Sequence, residues 1–232
     1  NRWGNFWSVG ASWVMNKEEF MSDLTWINLL KVKASYGVQG NDNILNDYAY
    51  VDQYSLSNDN DNQSLVLGYK ANKDLTWESS HNFNIGIDFE LFDRRLNGTV
   101  EYFNRQTEDM LYYKPIPSSM GYSRVPMNMG SVRNNGLEID MNGIIIDGKD
   151  FSWSANVNAT FLKNKILKLH PDLNGELISG SRIYREGESM YQLYLVKYAG
   201  VDPTTGQSLF WAKDDEGNAY TTADYAVASN CK

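Results

Sequence analysis

Hydrophobic and polar residues alternate along this chain with a period of two, in block after block, which is the signature of half-exposed β-strands. The clearest block runs from Phe151 to Phe161. Phe151, Trp153, Ala155, Val157, Ala159 and Phe161 share one face, and Ser152, Ser154, Asn156, Asn158 and Thr160 share the other. Phe83, Ile85, Ile87, Phe89 and Leu91 alternate with Asn84, Gly86, Asp88 and Glu90 in the same way. Trp7–Trp13, Leu30–Val38, Leu96–Tyr102 and Leu137–Met141 complete a set of six strands. Helix has no comparable claim. The best helical candidate is short, around 17–21, with Asn16 as its cap. Beyond Lys163 the alternation weakens: Tyr191 to Ala199 reads as a strand with both faces partly apolar, and Leu209-Phe210-Trp211-Ala212 as another, giving two or three strands in that region.

The connections differ in length. Asp93-Arg94-Arg95 joins two strands tightly, and Asp147-Gly148-Lys149-Asp150 joins two more with an Asp-Gly hairpin signal. A moderate segment, about 16–28, links the first two strands. Long polar stretches rich in Asn, Asp, Ser, Tyr and Gly occupy about 39–79 and 106–135. Short turns alternating with long loops are the habit of outer-membrane barrels. Compact soluble domains rarely carry such loops.

Composition narrows this further. Aromatics are 13% and apolar residues 42%, too many for a disordered chain. A net charge of −8 provides no basic footprint for nucleic acid. No apolar run exceeds four residues, so no transmembrane helix is encoded. A transmembrane barrel remains open, because its strands cross a membrane with an alternating pattern. The polar faces are mostly Ser, Asn, Gly and Thr with some Asp and Glu, which suits a concave, water-lined wall. Aromatics near both strand ends with small aliphatics between them suit interfacial girdles. The alternatives are a soluble carbohydrate-binding β-sandwich, whose aromatics are simply buried, and a surface-exposed structural or adhesive β-protein. One cysteine, Cys231, excludes an internal disulfide framework.

Several motifs then carry a resemblance. Gly37-Val38-Gln39-Gly40-Asn41 follows an alternating strand. Leu75-Thr76-Trp77-Glu78 precedes Asn84-Ile85-Gly86-Ile87-Asp88-Phe89. Leu96 to Met110, then Asn134-Asn135-Gly136-Leu137-Glu138, then Tyr198 to Gly206 follow in order. This series, spanning about Trp3 to Phe210, resembles the SusC/RagA-type TonB-dependent outer-membrane transporters. The resemblance implies an all-β fold: an antiparallel meander forming part of a large transmembrane barrel with short periplasmic turns and long extracellular loops. It implies residence in the outer membrane of a Gram-negative, Bacteroidetes-like cell, in contact with its lipid. It further implies import of glycans or peptides, energised through TonB, with a SusD-like surface lipoprotein as partner. Three departures from a complete member stand out: no plug or TonB box, too few strands to close, and Asn230-Cys231-Lys232 where a terminal aromatic strand is expected. Residues 1–232 are accordingly expected to be an internal piece of the barrel domain.

No catalytic constellation accompanies these motifs. His81 and His170 are the only histidines and lie far apart; His81 reads as a polar strand-end residue. No nucleophile elbow, zinc-protease motif or phosphate loop is present. Glu78 with Asp88 or Glu90 supplies two acids of the type a glycosidase uses. Asp88 and Glu90 alternate on one polar wall, however, where charge lining water explains them without catalysis. Asp59 and Asp61 sit at alternate positions, yet the stretch lacks the glycine and glutamate of a calcium loop and reads as solvated. No enzyme activity, cofactor or metal is expected. Ligand contact is expected from the long loops, where Tyr48, Tyr50 and Tyr54 in the first and Tyr112, Tyr113, Tyr122 and Arg124 in the second combine aromatic faces with polar groups. Aromatic rings stack on the apolar faces of sugars, and nearby Asn and Asp accept their hydroxyls. Trp77 is expected to anchor a strand end.

Overall fold

The computed structural model describes residues 3–43, 48–59, 62–122 and 124–230. The strands in chain order are β1 (Trp7–Val14), β2 (Ile27–Asn41), β3 (Gln53–Asp59), β4 (Asn62–Tyr69), β5 (Glu78–Leu91), β6 (Leu96–Glu108), β7 (Leu111–Pro115), β8 (Arg124–Asn128), β9 (Gly130–Asp147) and β10 (Ser152–Leu169). Beyond them come β11 (Glu176–Ser179), β12 (Arg182–Arg185), β13 (Tyr198–Val201), β14 (Ser208–Lys213), β15 (Ala219–Thr222) and one short helix, α1 (Tyr225–Asn230). Six long strands form one antiparallel sheet in the order β1-β2-β5-β6-β9-β10. The small strands form separate hairpins, β3-β4, β7-β8 and β11-β12, and a three-stranded sheet, β13-β14-β15.

The register places the alternating faces in continuous rows. Ala11, Ala34, Ile85, Tyr102, Leu137 and Phe161 lie across from one another, as do Trp13, Val32, Ile87, Val100, Ile139 and Ala159. The opposite face carries Ser12, Lys33, Gly86, Glu101, Glu138 and Thr160 in one row. A one-residue slip would exchange the two faces, so the apolar pattern fixes this pairing. The apolar face stays open. Val157 is 53% exposed and Phe161 64%, and among the described residues no second sheet packs over them. That arrangement excludes a sandwich, in which a partner layer seals this face.

The register also yields the strand tilt. On β1 the apolar stretch is bounded by Trp7 and Trp13, and on β10 by Phe161 and Trp153. Trp7 shares a row with Lys165, four residues above Phe161, and Trp13 shares a row with Ala159, six residues above Trp153. Offsets of about 13 and 20 Å, accumulated over five strand spacings of about 4.8 Å each, require a tilt of about 30–40° if the band is level. Transmembrane barrels tilt by about 35–45°. The eight residues from Trp153 to Phe161 then cover roughly 22 Å of height, close to the band such barrels show.

Aromatic pairs mark both edges of the band. Trp7 meets Tyr36 at 5.5 Å near the upper edge, while Trp26 stacks on Phe92 at 5.5 Å and Trp13 meets Phe20 at 6.1 Å near the lower. The turn between β5 and β6 holds Phe92, Asp93 and Arg94 consecutively at positive φ. Its strain is held by the Trp26 stack, by the Arg94 N–H donated to Asn28 Oδ1 at 3.2 Å, and by Arg94 Nε on Glu90 at 3.1 Å.

Three expectations need correction. The segment at 17–21 is not an α-helix but two single 3₁₀ turns, Met15–Lys17 and Glu19–Met21. Asn16 does not cap them, because Nδ2 donates to the Asn28 carbonyl at 2.9 Å and Oδ1 takes the Leu30 N–H at 3.1 Å, tying the connection to β2 instead. The stretch 191–199 is mostly irregular, with one isolated bridge at Leu193, and a strand begins only at Tyr198. With both faces partly apolar it had no strong side preference, and the region holds five short strands rather than two or three. Finally, the loops at 39–79 and 106–135 are not structureless: each folds back as a hairpin, and β9 and β10 run well beyond their alternating cores.

Candidate functional site

Two regions are built for contact with something other than the sheet itself: the polar wall, and the loop cluster at the end where β2, β6 and β10 finish.

On the wall, Lys33 Nζ bridges Asp88 at 3.0 Å and Glu101 at 3.1 Å, and Lys31 Nζ reaches Asp88 at 3.3 Å. Thr99 Oγ1 donates to Asp88 at 3.0 Å. These side chains are partly solvated, so each pair contributes about 0–1 kcal/mol and mainly fixes geometry. One strand further, Glu138 and Asp140 make no ion pair among the described residues. With Asn158 and Thr160 they line a shallow recess of about 300 Å³. The arrangement is a hydrated, negatively biased surface. It offers no nucleophile–base pair, and no group of three metal-ligating side chains occurs among the described residues. Glu90 pairs with Arg94, and Glu78 lies at the other strand end, where it takes Asn41 Nδ2 at 3.3 Å and the Leu111 N–H at 3.1 Å.

At the loop end the polar face turns apolar. Val132 and Ile166, paired across β9 and β10, join Met129, Leu169, Leu173 and Leu177 in the main buried cluster. Tyr112, Tyr184, Met110 and Met190 pack against it. Asn164 ties down a third loop, 170–197, between β10 and β13: Oδ1 accepts the Met190 N–H at 2.8 Å, and Nδ2 donates to Asn134 at 2.6 Å. Asn128 ties the first loop to the second. Its Nδ2 donates to the Thr76 carbonyl at 3.1 Å and the Asp109 carbonyl at 2.7 Å, while Oδ1 accepts the Thr76 N–H at 3.0 Å. A polar cleft of about 570 Å³ opens between these loops, with Asn72, Asp74, Asp109, Asn128, Lys168 and His170 on its walls. Further along, Asp202 closes the β13–β14 turn. Its carboxylate accepts the Thr204 N–H at 2.8 Å, the Thr204 hydroxyl, and the Thr205 hydroxyl at 2.9 Å, and these bonds hold its pKa down to about 2.

The seven residues expected to contact ligand all lie in this loop end, in three groups. Tyr48 and Tyr50 form a tilted pair at 6.5 Å with both rings largely exposed, and Tyr54 is also exposed on β3. Tyr113 carries Arg124 over its ring at 4.8 Å across the β7–β8 hairpin, and Tyr122 receives Lys70 from the first loop at 5.8 Å. Tyr112 sits against the buried cluster. Trp77 meets Phe6 at 5.4 Å beside the start of β5, as expected of an anchor. Asp61 and the Asp59 side chain lie outside the described residues. Sequence reading missed the loop core, although the adjacent Ile166-Leu167, where alternation demands a polar residue, was a visible signal. It also missed the Lys31–Lys33–Asp88–Glu101 lattice, which needs the register to be seen.

A family model described as TonB dependent receptor-like, beta-barrel, matches residues 1–230. The chain belongs to this family. TonB-dependent receptor P39 of Formosa agariphila is 35% identical over 98% of the chain. TonB-dependent receptor SusC of Bacteroides thetaiotaomicron is 32% identical over 86% of it. The chain spans about a fifth of the length of these curated relatives: 21% of each. A solved structure of the RagAB peptide transporter matches with a TM-score of 0.82 and 31% identity, over 96% of the chain and 25% of the transporter chain. The same importer in an open-open state matches with a TM-score of 0.76 and 28% identity, over 95% of the chain and 24% of that structure. The expected SusC/RagA-type, all-β receptor fold is therefore correct, and the family is one of receptors and transporters rather than enzymes.

Proposed function

We propose that this chain is an internal arc of wall, with its extracellular loops, from a longer outer-membrane TonB-dependent importer of oligosaccharides or peptides. The observation that carries this is the open apolar face, girdled by aromatics at both edges and level only at a membrane strand's tilt. Hydrocarbon is the medium that makes such a face stable, and its polar reverse then borders water. On this reading the loop end faces outward. There it meets substrate and a SusD-like lipoprotein, while coupling to TonB belongs to a plug outside these residues. Tyr48, Tyr50, Tyr54, Tyr113, Tyr122 and Arg124 are the proposed ligand contacts. Tyr112 belongs with them by position, though its ring is engaged in packing. The RagAB likeness supports peptide cargo, and the aromatic, Asn-rich loops suit glycans equally.

The test is uptake by cells carrying the complete receptor, supplied with labelled oligosaccharides and, separately, labelled peptides. Deleting the gene abolishes uptake of one class. Tyr50→Ala with Tyr54→Ala weakens binding of that class about tenfold, the loss of roughly 1.4 kcal/mol of stacking. Undiminished uptake of both classes after deletion refutes the proposal.

A further inference from the structure

Directly above the apolar band, on the face that carries it, the edge of the wall becomes cationic. On β10 the outward series that ends at Phe161 continues as Lys163 and Lys165, and on β9 the series above Leu137 continues as Asn135 and Arg133. Lys165 and Arg133 are direct cross-strand partners. Like charges directly opposite on one face destabilise a sheet. Among the described residues none of the three cations forms an ion pair or side-chain hydrogen bond, and Arg133 Nε is shielded from water with no partner. Glu108, Glu186 and Glu188, on neighbouring strands and loops, form no ion pair with them. Glu108 accepts from Gln106 at 2.9 Å, and Glu186 takes the Leu169 N–H at 2.8 Å. Glu188 gives its backbone carbonyl to the Ile166 N–H at 2.8 Å, and its Oε2 is itself buried without a hydrogen-bond partner. Lys168, next above, lies instead on the mixed-charge cleft with Asp74 and Asp109.

Resting on the membrane reading given above, we propose that Arg133, Lys163 and Lys165 form a binding site for the phosphate of an outer-leaflet lipid headgroup. The height is right, because the cations begin one outward position beyond the last girdle aromatic, where acyl chains give way to headgroups. The chemistry is right too. A phosphate between Lys165 and Arg133 removes their repulsion, and the planar guanidinium can engage it at two oxygens. Basic side chains at a membrane surface attract anionic headgroups in this way.

The complete receptor is reconstituted in phosphatidylcholine vesicles doped with lipid A, either intact or dephosphorylated, and lipid retained through detergent extraction is quantified by native mass spectrometry. Intact lipid A is retained, dephosphorylated lipid A about tenfold less, and the pair Lys163→Glu with Lys165→Glu lowers retention of the intact form by a similar factor. The neutral pair Lys163→Gln with Lys165→Gln serves should the reversal fail to assemble, and Arg133→Gln reads the guanidinium separately. Equal retention of both lipid forms, or by wild type and every variant that assembles, overturns the proposal. Displacement of intact lipid A by inorganic phosphate alone overturns the lipid as the occupant and leaves a free-anion site. Insertion into pure phosphatidylcholine vesicles reads the membrane assignment by itself, so failure of the patch and failure of the wall are separable.

Discussion

Val157 gives the sharpest test of which side of the sheet meets hydrocarbon. It lies four residues from Trp153 and four from Phe161 on the outward face of β10, opposite Met141, and 53% of it is exposed. Four residues are about 13 Å along a strand, or about 11 Å of height at the tilt derived above, which puts Val157 near the bilayer midplane. Replacing it with arginine costs about 2–4 kcal/mol at that depth. Asn158, one residue on, points to the opposite face beside Asp140, its register partner, in the acidic recess. Asn158→Arg therefore places the same side chain in water near unpaired carboxylates and costs close to nothing. The assay is reversible denaturant unfolding of the complete receptor in lipid vesicles, followed by tryptophan fluorescence. The difference between the two adjacent substitutions is the quantity of interest, because fold-wide effects cancel. Equal costs, or a larger cost at Asn158, refute the assignment of faces.

Other outcomes follow from single contacts. Gly136 lies under the Phe103 ring, and a Cβ there would stand 2.2 Å from the Phe161 carbonyl, so Gly136→Ala costs about 1–3 kcal/mol of stability while Gly143→Ala, with its nearest neighbour at 3.8 Å, is tolerated in the same unfolding assay. Asn128→Ala removes three hydrogen bonds, two of them to Thr76 of the first loop, and costs about 1–3 kcal/mol locally, read as faster amide exchange over residues 72–76 with the wall unchanged. The Asp202 carboxylate, exposed and with its pKa lowered to about 2, stabilises its turn fully above the ordinary carboxylate value near 3.9 and loses that contribution as pH falls from about 4 to 2. Resonances of Thr204 and Thr205 should shift over that interval in the wild type and not in Asp202→Asn.

The wall was legible in the sequence because a half-exposed strand leaves a period-two record, and six strands recorded it without interruption. The tight turns were legible as well, since Asp147-Gly148 and the segment at 93–95 sit between opposed alternations. The loop hairpins were not. In β3 and β7 the residues, Gln-Tyr-Ser-Leu-Ser-Asn-Asp and Leu-Tyr-Tyr-Lys-Pro, do not alternate cleanly between apolar and polar, so no side is selected and the pattern is silent. The apparent helix near 17–21 failed for a related reason. Asn16, a competent cap in isolation, finds a two-point tie to β2 that no local rule anticipates.

The loop core shows how wall and site are connected. Alternation on β9 and β10 does not stop at the top of the band; it changes meaning. Two rows below Asn134 and Asn164 the inward positions Glu138 and Thr160 are polar, the row between carries Phe103, Gly136 and Leu162, and above the asparagines Val132 and Ile166 are apolar because loops descend onto them. The two asparagines at the transition bond to each other at 2.6 Å, and Asn164 also takes the Met190 N–H, so the boundary between hydrated wall and dry loop core is itself a hydrogen-bonded seam. The segment anchored on the wall in this way, 170–197, holds Tyr184 and Met190 against the core that Tyr112 also touches. Substituting the seam should therefore loosen that segment without moving the strands: Asn164→Leu leaves the sheet intact and frees 170–197, read as faster amide exchange there, while unfolding of the wall stays within about 1 kcal/mol of wild type. Loss of the wall together with that segment would show instead that the loops and the sheet fold as one indivisible unit.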